Sequence, residues 1–411
     1  MKPRQFNVLA AIAVLATAPP AFADVITDWN DKAVEFGVKR SMLPPPAERV
    51  IAMTQVAMFD AVNSIDRRYT PYLVQLPADA GTSREAAAAA AAGTVLAGIN
   101  PQAKDEMTAA LASYLAGIPD SSAKTAGIKL GEAVGAKVLE ARQNDGASAP
   151  DSYRPRTTAG VYVPTAPTAS PQWANVKPFA LTSASQFRPP APIALTSARW
   201  TADYNEMKEV GSLTSAKRTS QQTENGRFWL ATDGRIYYPL VRQMAEAKKL
   251  GLIDCARLYA LAAVARNDAL TAVFDAKYHY EFWRPVTAIR NGDIDGNDAT
   301  ARDAAWQPLG PTPMHPEYPC AHCIVGASVA GVLLALFGTA DVPEFSITSP
   351  TAPGVTHRWT NLRAFVDEVS EARIWAGFHW RFSTEVGRDM GYRIGEFVAK
   401  NVMQPINIPT R

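Results

Sequence analysis

Three cysteines in 411 residues are too few to build a fold on disulfides. An excess of one charge is also missing, since 41 Lys and Arg stand against 39 Asp and Glu. That balance gives no long-range reason to expect nucleic acid or an anionic membrane surface as a partner, so any positive field must be local. Strand signals are almost absent, and no internal repeat is visible in the sequence. Long hydrophobic runs are scarce. The stretch Cys323 to Ala340 is marginal in length for a membrane span and reads as a buried core helix. The other run, Phe6 to Ala18, follows Lys2 and Arg4 and precedes Ala21-Phe22-Ala23. This is the charged, apolar and small-residue order of a secretory signal peptide, with cleavage expected after Ala23 and export to a periplasm.

What is present is enough apolar residue, 47 %, for a substantial core, in a chain longer than one ordinary domain requires. Apolar residues recur at spacings of three and four over 47–63, 84–99, 103–116 and 121–143, and again from about Ser197 through 219–232, 237–249, 254–280, 320–337, 358–376 and 379–400. Between these halves, Pro150 to Pro192 holds nine of the 31 prolines and cannot be one helix. The expected architecture is all-α, with a leader at 1–23, an N-terminal helical domain at 24–149, an extended Pro-rich connection at 150–195 and a C-terminal helical domain at 196–411.

Chemistry concentrates in three stretches of the last third: KYHYEFWRP from Lys277, HPEYPCAHC from His315 and ARIWAGFHWRF from Ala372. Lys277 and Arg284 are seven apart, nearly two helical turns, so both can reach one anion roughly 10 Å along a helix face. Pro285 disfavours helical geometry at Arg284 and frees its guanidinium for contacts to oxygens. Pro319 before Cys320-Ala321-His322 reads as a helix start, where unpaired N–H groups bind anions and His322 can serve as an acid or base. Arg373 and His379, six apart, would point about 120° apart on an unbroken helix. Gly377 is a suitable breaking point, after which His379 would open the next helix.

These stretches resemble the vanadium-dependent haloperoxidase and type 2 phosphatidic acid phosphatase superfamily, whose signature is K-x6-R-P, then P-S-G-H, then S-R-x5-H-x3-D. Lys277, Arg284 and Pro285 match the first part, Pro319 and His322 the ends of the second, and Arg373 and His379 the core of the third. EFWRP from Glu281 and HWRF from His379 are closest in wording to the haloperoxidase branch, and the resemblance extends upstream to about Ser215. It implies a vanadate cofactor bonded through vanadium to His379, with Lys277, Arg284 and Arg373 neutralising its oxygens beside Cys320 and Ala321. His322 would be the acid–base group. The implied reaction is oxidation of halide by hydrogen peroxide for a small organic acceptor. Its alternatives are phosphate-ester hydrolysis, with His379 attacking phosphorus, and silent oxyanion binding. His315 stands where the family's bromoperoxidases carry histidine and a chloroperoxidase carries phenylalanine, which points to bromide over chloride.

The sequence departs from the signature at four places. Cys320 and Ala321 replace its Ser-Gly, Ala372 replaces the serine before the arginine, and Ser383 replaces the aspartate that orients the nucleophilic histidine in the phosphatases. Asp268, Asp275 and Glu385 are candidates for the missing carboxylate. Cys320 and Cys323 form a C-x-x-C at the helix start, readable as a redox pair or a disulfide. The run from Gly292 to Asp303 reads as a polar turn, its glycine misplaced for a calcium loop. Nothing in the chain specifies an oligomeric state.

Overall fold

The computed structural model describes residues 25–406, and the leader expected up to Ala23 lies outside them. The first half comprises α1 (Val25–Lys39), α2 (Pro44–Asp66), α3 (Arg84–Ile99), α4 (Lys104–Ala116) and α5 (Ser122–Arg142). The second comprises α6 (Ala198–Val210), α7 (Ser220–Phe228), α8 (Tyr238–Ala247), α9 (Leu252–Tyr280), α10 (Pro285–Arg290), α11 (Ala321–Phe337), α12 (Leu362–Trp375) and α13 (Arg381–Asn401). The fold is mainly helical. Helix α1, absent from the sequence expectation, buries Ile26, Trp29, Ala33 and Phe36 along one face.

Helix starts carry the residues that cap them. Ser83, Ser121 and Ser197 accept N–H bonds from Ala86, Lys124 and Trp200, and Thr219 with Gln222 completes a capping box at α7. Helix α9 is the axis of the molecule. Every residue from Leu258 to Lys277 is buried, because α2 covers it from the first half while α11 and α13 cover it from the second. One continuous apolar core therefore runs from Val25 to Met403. A smaller aromatic cluster, with Trp200, Tyr204, Trp283 and Trp380, lies beneath the C-terminal stretches.

Both halves use the same close-packing device. Along α5, Gly127, Gly131 and Gly135 press against the Ser83, Ala87 and Ala91 carbonyls of α3. Along α13, Gly387, Gly391 and Gly395 press against the Cys320, Ile324 and Ser328 carbonyls. A Cβ at Gly387 would lie 2.7 Å from the Cys320 oxygen, so only glycine lets the backbones meet.

The segment 150–195 lies along the protein surface without a long helix. Asp268 of α9 pins it by accepting N–H bonds from Phe179, Ala180 and Leu181 at 2.7 to 2.9 Å, and Arg142 donates to the Lys177 and Pro178 carbonyls.

One sequence expectation fails clearly. Residues 358–361 belong to an antiparallel hairpin, β1 (Asp341–Ser349) and β2 (Ala352–Asn361), and α12 begins only at Leu362. Phe345 opposes Trp359 and Ile347 opposes His357. Past the register irregularity near its start, β1 buries Phe345, Ile347 and Ser349 with period two, the pattern of a half-buried strand. Asn361 then accepts the Arg363 and Ala364 N–H groups and starts α12.

Candidate active site

The three stretches converge where α9, α11 and α12 end or begin. Lys277, fully buried in the last turn of α9, donates to the carbonyls of Pro316 (3.0 Å), Glu317 (2.6 Å) and Pro319 (2.5 Å). It thus fixes the loop leading into α11. Arg284 caps α10 in extended geometry, as the following Pro285 requires. Its guanidinium donates to the His315 carbonyl (2.8 Å) and the Phe378 carbonyl (3.1 Å), and lies 3.3 Å from His379 Nε2. Arg284 Nη2 is 3.0 Å from His315 Nδ1, which orients the His315 ring against Phe274.

Gly377, at φ +81°, breaks the chain after α12, a conformation that favours glycine. His379 does not open the next helix. It lies in the connecting loop, and Trp380 precedes α13, whose first residue is Arg381. This break brings Arg373 and His379 to one cavity. Arg373 donates to the Trp229 carbonyl, while its Nε is buried without a hydrogen-bond partner.

Glu317, which the sequence reading passed over, supplies the missing carboxylate. Its Oε1 accepts from His379 Nδ1 at 2.8 Å and from the Trp380 N–H at 3.1 Å, and it is fully buried. The three candidates named from sequence are committed elsewhere: Asp268 to the Phe179–Leu181 amides, Asp275 to Arg188, and Glu385 to Arg199. Ser383 is buried close enough to Glu317 to help hold its carboxylate ionised, without meeting hydrogen-bond geometry. The readable signal was a carboxylate inside HPEYPCAHC, two residues from His315.

Cys320 is not available as an anion ligand. It is disulfide-bonded to Cys323 and fully buried, and its sulfur accepts the Cys323 N–H at the start of α11. Ala321 and His322 line the cavity from the first turn of that helix, and His322 Nε2 is 2.9 Å from the Ala231 carbonyl.

Electrostatics at the centre are one-sided. Lys277, Arg284 and Arg373 are buried against a single buried carboxylate, Glu317. Burial pushes Arg284 down to about 10 and Arg373 down to about 9. Both guanidinium groups stay charged at neutral pH, and the shifts register the cost of holding them without a counter-anion. Burial, with the neighbouring cations, also drives His379, His322 and His315 well below the usual histidine range, so their imidazoles are neutral. Burial raises Glu317 to about 7 against the pull of Lys277 and Arg284. With Nδ1–H donated to Glu317, His379 turns its Nε2 lone pair toward Arg284 Nη1, which donates to it at 3.3 Å.

A cavity of about 790 Å³ opens from this centre, lined by His315, Ala321, His322, Arg373, Phe378 and His379 on one side and by residues of α1 and α2 on the other. Lys277 and Arg284 are not part of that lining, and Arg284 meets it at His379 Nε2 and His315 Nδ1.

Residues 257–408 match the family described as VCPO second helical-bundle domain. The vanadium chloroperoxidase of Curvularia inaequalis is 26 % identical over 263 residues, a match covering 47 % of this chain and 42 % of that protein. The chain thus matches less than half the length of that curated relative. A bacterial vanadium-dependent iodoperoxidase superposes with TM-score 0.80 at 23 % identity, covering 93 % of this chain and 98 % of the other. A bacterial vanadium-dependent chloroperoxidase in its apo form superposes with TM-score 0.70 at 16 % identity, covering 87 % and 92 %. Residues 257–408 thus resemble the VCPO second helical-bundle domain, and the chain has the fold of the vanadium-dependent haloperoxidases.

Proposed function

We propose that this chain is a vanadate-dependent haloperoxidase that oxidises halide, bromide in preference to chloride, with hydrogen peroxide. The observation that carries the reading is the pairing of a lone-pair donor, His379 Nε2 held by Glu317, with two buried guanidinium cations, Arg284 and Arg373, that one carboxylate cannot neutralise, beside a buried Lys277 whose charge burial disfavours. A buried charge without a partner is strongly unfavourable, so such a site calls for an anion. The residues fit a tetrahedral oxyanion: Arg373 Nε is an unpaired buried donor on the cavity wall, and His379 Nε2 can complete the set.

His379 would hold vanadate through Nε2, with Arg284 and Arg373 against its oxygens and Lys277 beside them. When bound, vanadate supplies a Lewis-acidic centre at which peroxide is polarised toward halide. His322 manages the proton. With Nε2–H donated to the Ala231 carbonyl and burial keeping the ring neutral, Nδ1 can accept a proton from incoming peroxide. His315 lines the same cavity and supports the bromide reading by its position in the resemblance.

The test is bromination of a phenolic dye by purified protein with orthovanadate and peroxide, run beside hydrolysis of 4-nitrophenyl phosphate without vanadate. Bromination that His379→Ala abolishes, and that His322→Ala lowers roughly 10²–10⁴-fold while vanadate still binds, is the expected result. Phosphate release without bromination would move the same dyad to phosphatase chemistry, with His379 as nucleophile. Vanadate binding without either reaction would leave oxyanion binding alone.

A further inference from the structure

The cavity is far larger than an oxyanion, a peroxide or a halide requires. At about 790 Å³ it lies in the range of pockets that enclose organic molecules. Its wall away from the cations is apolar and comes from both halves of the chain, with Met42 and Ile51 facing Leu270, Phe274 and Val325.

Charged side chains interrupt that wall: Arg266 with Glu48, and Asp233 and Arg235 further along the lining. Arg266 of α9 is 2 % exposed and lies eleven residues before Lys277, roughly 16 Å along the helix axis. Its Nη2 is 2.9 Å from Glu48 Oε2, and its guanidinium sits 4.6 and 4.7 Å from the ring centres of Tyr237 and Tyr238. The Tyr238 hydroxyl donates to the other Glu48 oxygen at 2.6 Å. Arg266 Nε and Nη1 are buried with no hydrogen-bond partner. Buried guanidinium donors left unmet are costly, and the acceptor chemistry that suits them is a carboxylate or similar anion.

We propose that Arg266 anchors the anionic group of an amphipathic organic acid, whose apolar body lies along this wall and whose far end reaches the His322–His379 centre. That acid is the halogen acceptor, so halogenation takes place inside the protein. The step balances as R–H + X⁻ + H₂O₂ + H⁺ → R–X + 2 H₂O: the C–H bond is replaced by C–X, halide loses two electrons and peroxide gains them. The reaction rests on the haloperoxidase reading; the binding site does not.

The experiment is calorimetry of 4-(4-hydroxyphenyl)butanoate against its uncharged primary amide, in protein saturated with orthovanadate. The acid should bind at least tenfold more tightly than the amide. In the Arg266→Gln/Glu48→Gln double variant, which removes the cation and its counter-charge together, that preference should vanish while affinity for the amide stays. Should the double variant not fold, Arg266→Lys, which keeps a cation beside Glu48 but loses the fork, should cut the preference severalfold. Equal affinity for acid and amide, a preference that survives in the variant, or displacement of the acid by orthovanadate would each overturn the proposal. Bromination without acid preference would sink this site alone. Acid preference without bromination would sink the haloperoxidase reading and leave the site standing.

Discussion

A histidine that is to hold an oxyanion through Nε2 must keep its proton on Nδ1, and here Glu317 does that from the loop before α11. The signature these stretches resemble would put that carboxylate at position 383, where this chain has serine; here position 317 supplies it. Glu317→Gln should lower orthovanadate affinity about 10–100-fold, the usual cost of losing a residue that orients a ligating imidazole. Adding Ser383→Asp should recover part of it, because position 383 is buried beside position 317. Calorimetric titration of the three proteins checks this, and no recovery in the double variant would contradict the exchange. At this scale the three stretches that resemble the signature marked out the cations and both histidines, and Gly377 marked the break between Arg373 and His379. Glu317 was not legible, because its partnership depends on a loop folding back across 62 residues. Nor did the sequence reveal that Asp268, Asp275 and Glu385 already had other partners.

The hairpin shows where helical periodicity misleads. Residues 358–361 sit next to a true helix and continue its spacing, while the two-residue connection at Pro350 and Thr351 offers no glycine signal for a tight turn. His357 ties the hairpin to the helices. Its ring stacks on Phe228 at 4.0 Å, and Nδ1 is 2.6 Å from Glu368. Burial disfavours its charge, but the Glu368 hydrogen bond with the Glu368 and Glu224 charges outweighs that, so its pKa is raised. A histidine that holds its proton more tightly when folded adds stability below the unfolded pKa and loses it as pH rises through the folded one. His357→Leu should therefore cost about 1–2 kcal/mol more at pH 5.5 than at pH 9. Urea unfolding at both pH values reads the difference; an equal cost would show that stacking alone holds the hairpin. Gly391→Ala tests the helix contact, since its Cβ would press on the Ile324 carbonyl. It should cost about 1–3 kcal/mol, as overpacking does. An unchanged melting temperature would mean the helices separate freely.

Across the whole molecule, two helical halves were expected from sequence, and the structure gives them one apolar core through the shared burial of α9. What sequence could not show is that α2 and the C-terminal helices cover the same helix from opposite sides, because each face of α9 reads only as apolar. The described residues should accordingly unfold in a single transition by calorimetry and by tryptophan fluorescence, with coincident midpoints. Two separated transitions would mean that the halves are independent. The glycine contacts between α11 and α13 also decide which part of the cavity can give. Where backbone meets backbone there are no rotamers to absorb a displacement. His322, in the first turn of α11, and His379, two residues before α13, are therefore held at a set gap. The opposite wall, built from Val34, Met42 and Ile51, meets the cavity through apolar side chains rather than backbone, the unbranched Met42 among them the most adaptable. In mechanical terms the second half is the anvil and the first half the jaw, so entry of a bulky molecule is a matter for α1 and α2.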